Sequence, residues 1–371
     1  MKRIITILLI GSLAGCLDTN TDQEPLEFDG TWPDLSGKTL TIMSHEDFSA
    51  FNAARDLFKN LTGIDDVVQV GTGDTGTALR TAIDQKGRPT ADLFYGLDNA
   101  FLHVAIQEDL LTPYEPFYAD RILPEALVFG DDWYATPTDQ GFIGINWDPD
   151  GPGMEGQVIR SLFDVRANAA NFVTQNPSTS TPGLGFLLIT IDKFGEGPND
   201  PYNWQDYWTE LMEGGTLITS GWGEAYEGHF SGGYGVAYGG AGDYAIVNSY
   251  TESPAVEYYF GTPEANLSKP LVAPGTTWHQ VQTTAILKGA ANLAAAQAWI
   301  EFTLTDDYQK LAFDNGVYPI VDGIDVDAYY GGIDPTPGTF QTIDMDFETI
   351  GENLDRWLDE WEALCLAHEC I

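Results

Sequence analysis

Apolar and polar positions alternate along the chain in two periods. "TLTIMS" (39–44) has the short β-rich pattern of a strand, whereas "FSAFNAARDLFKNLTG" (48–63) carries apolar residues three and four apart and stops at Gly63. "DVVQV" (66–70) is again a strand, "TALRTAIDQKG" a helix, "ADLFYGLD" a strand and "AFLHVAIQEDLL" a helix. "GFIGINW", "TLITSGW", "YAIVNSY" and "HQVQTTAIL" are predicted as further strands. Two long helical patterns follow, "NLAAAQAWIEFTLTDDYQKLAFDNG" and "IGENLDRWLDEWEALC"; in the second, Leu354, Trp357, Leu358, Trp361 and Leu364 make one apolar face for core packing. Strand and helix in alternation predict an α/β fold, with a mostly parallel sheet covered by helices.

Within this pattern "NPSTSTPGLGFLL" (176–188) stands out. Thr181 is predicted as a helix N-cap with Pro182 next, because a cap hydroxyl accepts from the first unpaired backbone N–H groups. Flanked by the hydroxyls of Thr179 and Ser180, such a helix start suits either an ordinary cap or an anion such as a phosphate. "TESP" (251–254) resembles a second capped start. "FSGGYGVAYGGAGD" (230–243) has six glycines and no single period, and is predicted as a mobile loop or hairpin near a ligand cleft. "GTGDTG" (71–76) satisfies the letter of a dinucleotide fingerprint but stands on the second strand, so a plain turn is the better reading.

The N-terminus changes the compartment. Lys2 and Arg3, the apolar run "IITILLIGS" and "LAGC" form a leader over 1–15 that ends in a lipobox, which makes Cys16 the expected lipidated first residue of a protein held at the cell surface or in the periplasm. Residues 16–37 are polar, acidic and turn-rich, as expected of a flexible tether. Beyond them, 43% hydrophobic and 12% aromatic residues are enough for a folded core.

The formal net charge is −40, and removing Lys2 and Arg3 leaves 14 basic against 56 acidic groups, or −42. Such a surface repels phosphate backbones, so nucleic acid is not an expected partner; it suits solubility in a saline medium. Cys365 and Cys370 in "CLAHEC" are expected to form a disulfide in an exported protein, rather than a metal site, since His368 adds at most a third ligand.

The chemistry of catalysis is not marked. G-x-S-x-G, H-E-x-x-H and S-x-x-K are absent, and the five histidines lie far apart in sequence. Aromatic residues at strand ends are the better signal: Trp222 and Tyr226 in "TSGWGEAYEGHF", and Tyr250 in "NSYTESPAVEYY". Ring faces attract cations, so these residues with an anion site describe a ligand with an aromatic cationic part and a phosphate or hydroxyl tail.

The stretches "ADLFYGLDNAFL", "ATPTDQGFIGINWD", "NPSTSTPGLGFLL", "TSGWGEAY", "NSYTESPA", "NGVYPI" and "DRWLDEWE" together resemble the thiamine-binding proteins of ABC importers, within the two-lobed type II periplasmic binding proteins. The resemblance implies two α/β lobes, 38–140 with 278–371 and 141–277, each a mixed, mostly parallel sheet flanked by helices. It implies a monomer without cofactor or catalysis that captures thiamine or a thiamine phosphate between its lobes and delivers it to an ABC permease. Carried over, Thr179, Ser180, Thr181 and Gly183 hold the phosphate or hydroxyethyl end, and Trp222 and Tyr250 stack on the thiazolium. Asp98 and Asp139 are placed to face the aminopyrimidine or the cation.

The chain departs from that pattern at His45, a ligand-contact candidate where family members carry a tyrosine, at Gly316, where they carry a tryptophan, and in the glycine-rich segment, whose Tyr234 or Tyr238 is a candidate replacement ring. The alternatives are a receptor of the same fold for another solute such as ferric iron, and an exported hydrolase.

Overall fold

The computed structural model describes residues 25–45, 48–130, 132–197, 201–233, 235–236, 239–260, 268–325 and 341–370. The leader, Cys16, Tyr234 and Tyr238 lie outside the described residues. In chain order the elements are β1 (Thr39–Ser44), α1 (Phe51–Thr62), β2 (Asp66–Gly71), α2 (Thr75–Asp84), β3 (Leu93–Asp98), α3 (Leu102–Gln107), β4 (Leu111–Thr112) and β5 (Thr136–Trp147). Then come α4 (Leu162–Ala167), β6 (Phe172–Gln175), α5 (Thr181–Phe194), α6 (Trp204–Glu213), β7 (Leu217–Thr219), β8 (Ile246–Tyr250), α7 (Ser253–Phe260) and β9 (Lys269–Pro270). β10 (Trp278–Leu287), α8 (Leu293–Thr303), α9 (Asp306–Asp314) and α10 (Phe347–Ala367) complete the chain.

The strands form one path, β2-β1-β3-β10-β5-β8-β6-β7, with β4 on β10 and β9 on β5. β1 runs parallel to β2 and β3, and β6 parallel to β7 and β8, as the strand-helix alternation predicts. β10 and β5 are antiparallel to their neighbours and join these two parallel halves. β5 pairs with β10 over Thr136–Ile143 and with β8 over Ile143–Trp147, so a single strand passes from one half to the other. All twelve of its residues are buried, and its polar side chains Asp139, Gln140 and Asn146 are each hydrogen-bonded within the fold.

α5 is apolar all round, and every residue from Thr181 to Ile191 is buried. Its cap is shifted by one position from the expectation: Ser180 is the N-cap, with extended backbone, while Thr181 begins the helix. The Thr181 hydroxyl bonds Asp98 instead of its own helix, which removes it from capping.

Two helical patterns are shorter than expected. The "AFLHVAIQEDLL" helix ends at Gln107, and Leu111 pairs into the sheet as β4. The long 292–316 pattern breaks at Leu304 into α8 and α9, because the Thr305 hydroxyl accepts from Tyr308 N–H and caps a new helix.

α10 buries Ile350, Leu354, Trp357, Trp361 and Cys365, so the stripe starts one turn before the predicted face and takes in Cys365, while Leu358 and Leu364 are only half-buried. It lies across both halves: Gly351 meets the ring of His103 on α3, and Trp361 packs edge-on against Trp208 of α6 with centroids 5.5 Å apart. A disulfide joins Cys365 and Cys370, with Cα atoms 5.2 Å apart, and ties down the last turn.

Residues 25–37, assigned from sequence to the tether, are docked. Leu26 N–H donates to Gln297, the Phe28 ring packs among Trp32, Phe117 and Tyr118, and Leu35 is buried.

Candidate functional site

A cleft of about 390 Å³ opens where the two halves of the sheet face each other. Its rings are His45 and Phe48 after β1, Trp222 and Tyr226 after β7, and Tyr250 at the end of β8. Its carboxyl groups are Asp74, Glu227 and Glu252. Among the described lining residues there is no lysine or arginine.

The aromatic wall is built in layers. Trp222 stacks on Tyr226 with centroids 4.9 Å apart and planes 11° off parallel, and Tyr250 meets Trp222 at 6.2 Å and 64°. The Trp222 indole N–H donates to Ser249 at 2.8 Å, and the Tyr226 hydroxyl donates to Glu257 at 2.7 Å, so both rings are held by their polar ends. Glu257 also accepts from Ser268 N–H and hydroxyl; burial pushes its carboxyl up to about 7. On the opposite side Phe48 stacks on Tyr95 at 3.8 Å.

Behind the lining stands a row of buried carboxyls. Asp139 accepts from Tyr95 at 3.0 Å, Thr138 at 3.1 Å and Gln282 at 2.9 Å. With its amide N–H committed to Asp139, Gln282 offers its oxygen to His45 Nε2 at 2.9 Å, which makes that nitrogen the protonated one. Asp98 accepts from Thr181, from Gln280 at 3.4 Å, and from Ala100 and Phe101 N–H groups. Burial raises both aspartates above the ordinary carboxylate range, against the pull of these bonds.

Of the nine residues that the sequence singles out for ligand contact, His45, Thr181, Trp222 and Tyr250 come together on the cleft wall. The other five stand behind it. Asp98 and Asp139 accept hydrogen bonds from Gln280 and Gln282, which do line the cleft. The Thr179 hydroxyl donates to Ser220 C=O at 2.6 Å. Ser180 is fully buried at the N-cap, and its hydroxyl has no protein partner among the described residues. Gly183 is where α5 crosses its incoming chain: a Cβ there would lie 2.6 Å from Gln175 C=O.

Sequence reasoning passed over Phe48, Asp74, Glu252, Gln280 and Gln282. The signal for Glu252 is an acid two residues past the end of the strand "AIVNSY", but "TESP" also reads as a helix cap. Gly316, where the resemblance expects a tryptophan, lines the cleft beside Val317. No described residue of 230–243 is among its lining residues.

A mixed sheet in two halves, with a ring-lined cleft between them, is the architecture of a type II periplasmic binding protein. A solved structure titled periplasmic thiamin binding protein matches with a TM-score of 0.73 at 21% identity, over 90% of this chain and 99% of that one. Iron-bound HitA from Pseudomonas aeruginosa matches with a TM-score of 0.68 at 18% identity, over 88% and 99%. Residues 44–310 match the bacterial extracellular solute-binding protein family, and the chain belongs to it. The thiamine-binding periplasmic protein of Salmonella typhimurium is 24% identical over 338 residues, 89% of this chain and 94% of that protein. Its counterpart in Brucella melitensis is 26% identical over 290 residues, 78% and 80% of the two chains.

Proposed function

We propose that this protein captures thiamine or a thiamine phosphate in the cleft and hands it to an ABC permease outside the cytoplasm. The observation that carries the reading is the cleft's composition: five aromatic rings and three carboxyl groups, with no lysine or arginine among the described lining residues. A flat cation gains from ring quadrupoles and from carboxylates together. The similarity to thiamine-binding periplasmic proteins over most of the chain supports the same ligand.

In this reading Trp222 and Tyr250 face the thiazolium, and His45, Phe48 and Gln282 take the pyrimidine side. The hydroxyethyl or phosphate end lies at the start of α5, near Thr181 and the buried Ser180 hydroxyl, with Thr179 and Gly183 setting that turn. Asp98 and Asp139 orient Gln280 and Gln282. The lobes are 38–140 with 278–371 and 141–277. They close by flexing within β5 and at the start of β10, where the chain passes from one lobe to the other, and the ligand holds the closed form by touching both. A lipid on Cys16 keeps the monomer at the membrane, and no chemistry is done on the ligand.

Tryptophan fluorescence of the protein, titrated with thiamine and its mono- and diphosphate, tests the reading. Saturable quenching that disappears in Trp222→Phe together with weakened affinity is the expected result. An unchanged spectrum with all three compounds, in folded protein at low and high salt, contradicts it.

A further inference from the structure

We infer that Glu252 is the counter-ion of the bound solute, and that capture of a heteroaromatic cation expels the Glu252 proton from the cleft. The inference rests on the cation-binding reading above and goes further, naming the group that matches the charge. Glu252 lines the cleft beside Tyr250, yet its side chain is only 1% exposed. Its described hydrogen bonds are long, 3.4 Å from Phe142 N–H and 3.4 Å from the Thr251 hydroxyl. It fits because Gly141 opposite has no side chain: a Cβ there would lie 2.7 Å from Glu252 Oε1.

Without a cation beside it, the surrounding charges make this wall a poor place for a carboxylate. Asp139 on β5 and Asp98 at the end of β3 are buried nearby, Asp74 and Glu227 line the same cleft, and the Tyr250 phenol is held neutral by burial. The imidazoles are His45 across the cleft and His279 on β10, stacked on Phe142; burial holds His279 neutral down to about 4. Burial pushes Glu252 up to about 8, and the charge of Asp139 adds in the same direction. At neutral pH the carboxyl therefore carries its proton. An incoming cation supplies the missing opposite charge, the O–H bond breaks, and the proton leaves to the solvent. A neutral solute of the same shape offers no such exchange.

Calorimetry of the full protein with thiamine at pH 7, in buffers of different ionisation heat, counts the protons released. Release approaching one proton per thiamine is expected, with affinity rising by up to about tenfold per step of one in pH between 6.5 and 8. In Glu252→Gln, which keeps the shape and the neutral state, release and pH dependence should vanish and affinity for the cation should fall.

Binding without proton exchange, or undiminished release by Glu252→Gln, overturns the inference. If thiamine fails but 1-methylnicotinamide, another heteroaromatic cation, binds with proton release, the thiamine reading falls and the role of Glu252 stands. If neither cation binds folded protein, both fall.

Discussion

The Asp74 carboxylate reaches across the cleft and accepts the backbone N–H of Trp222 at 3.0 Å. Asp74 occupies the N-cap of α2 but makes no side-chain bond to its own helix, so its acceptor is committed to the far wall. Two residues on, Gly76 N–H donates to Thr179 C=O at 3.0 Å. The first turn of α2 thereby fastens both segments that build the opposite side, 176–181 and 220–222. Both contacts cross from one side of the cleft to the other. Asp74→Ala should weaken ligand binding by roughly tenfold, chiefly through faster release, since a bond to a charged group contributes about 1.5–3 kcal/mol. Stopped-flow association and dissociation rates check this; a change confined to the association rate would contradict a latch.

Trp222→Ala removes a ring stacked at 4.9 Å on Tyr226 and leaves the Ser249 hydroxyl without its indole donor. Affinity for thiamine should fall by roughly 5- to 150-fold, about 1–3 kcal/mol for lost stacking and cation attraction. Trp222→Phe should recover part of it. Equal affinities for the alanine variant and the wild type, by equilibrium dialysis, would remove this ring from the site.

Gly141 lies where a side chain would meet both Glu252 and the Tyr250 ring, the latter at 3.1 Å. Gly141→Ala should cost about 1–3 kcal/mol of stability, the usual cost of overpacking, and displace both cleft residues. Thermal unfolding gives the first effect and ligand affinity the second. A variant as stable and as tight-binding as wild type would show that this wall yields freely.

Stability should fall as pH rises from about 5 to 8. Glu252 and Glu257 are raised in the folded state to about 8 and about 7. Their protonated forms favour the native state fully below the ordinary glutamate value, and this contribution is lost as pH climbs through 7 and 8. The melting temperature at fixed salt should therefore drop between about pH 5 and 8 and level off above. In Glu252→Gln with Glu257→Gln the slope should flatten. Equal slopes in both proteins would place the pH dependence in the diffuse surface charge.

The fold was legible because its signal is local: the periods of β1, α1, β2, α2 and β3 are each contained in one stretch of chain. Breaks were less legible, since Thr305 interrupts an apolar pattern that continues on both sides. Trp222 and Tyr250 could be read from strand ends. Gln280 and Gln282 could not, because they lie within β10 with nothing in the sequence to mark them, and only pairing with β3 and β5 brings them to Asp98 and Asp139. That pairing also explains why the two aspartates stand one layer behind the cleft.

Calorimetric titration of the purified protein with thiamine, in moderate and high salt, measures the central claim most directly. One site per chain, with submillimolar affinity in wild type and much weaker binding in Trp222→Ala, is the expected result. No heat from folded protein in either salt, while another solute binds and protects the fold, would contradict it.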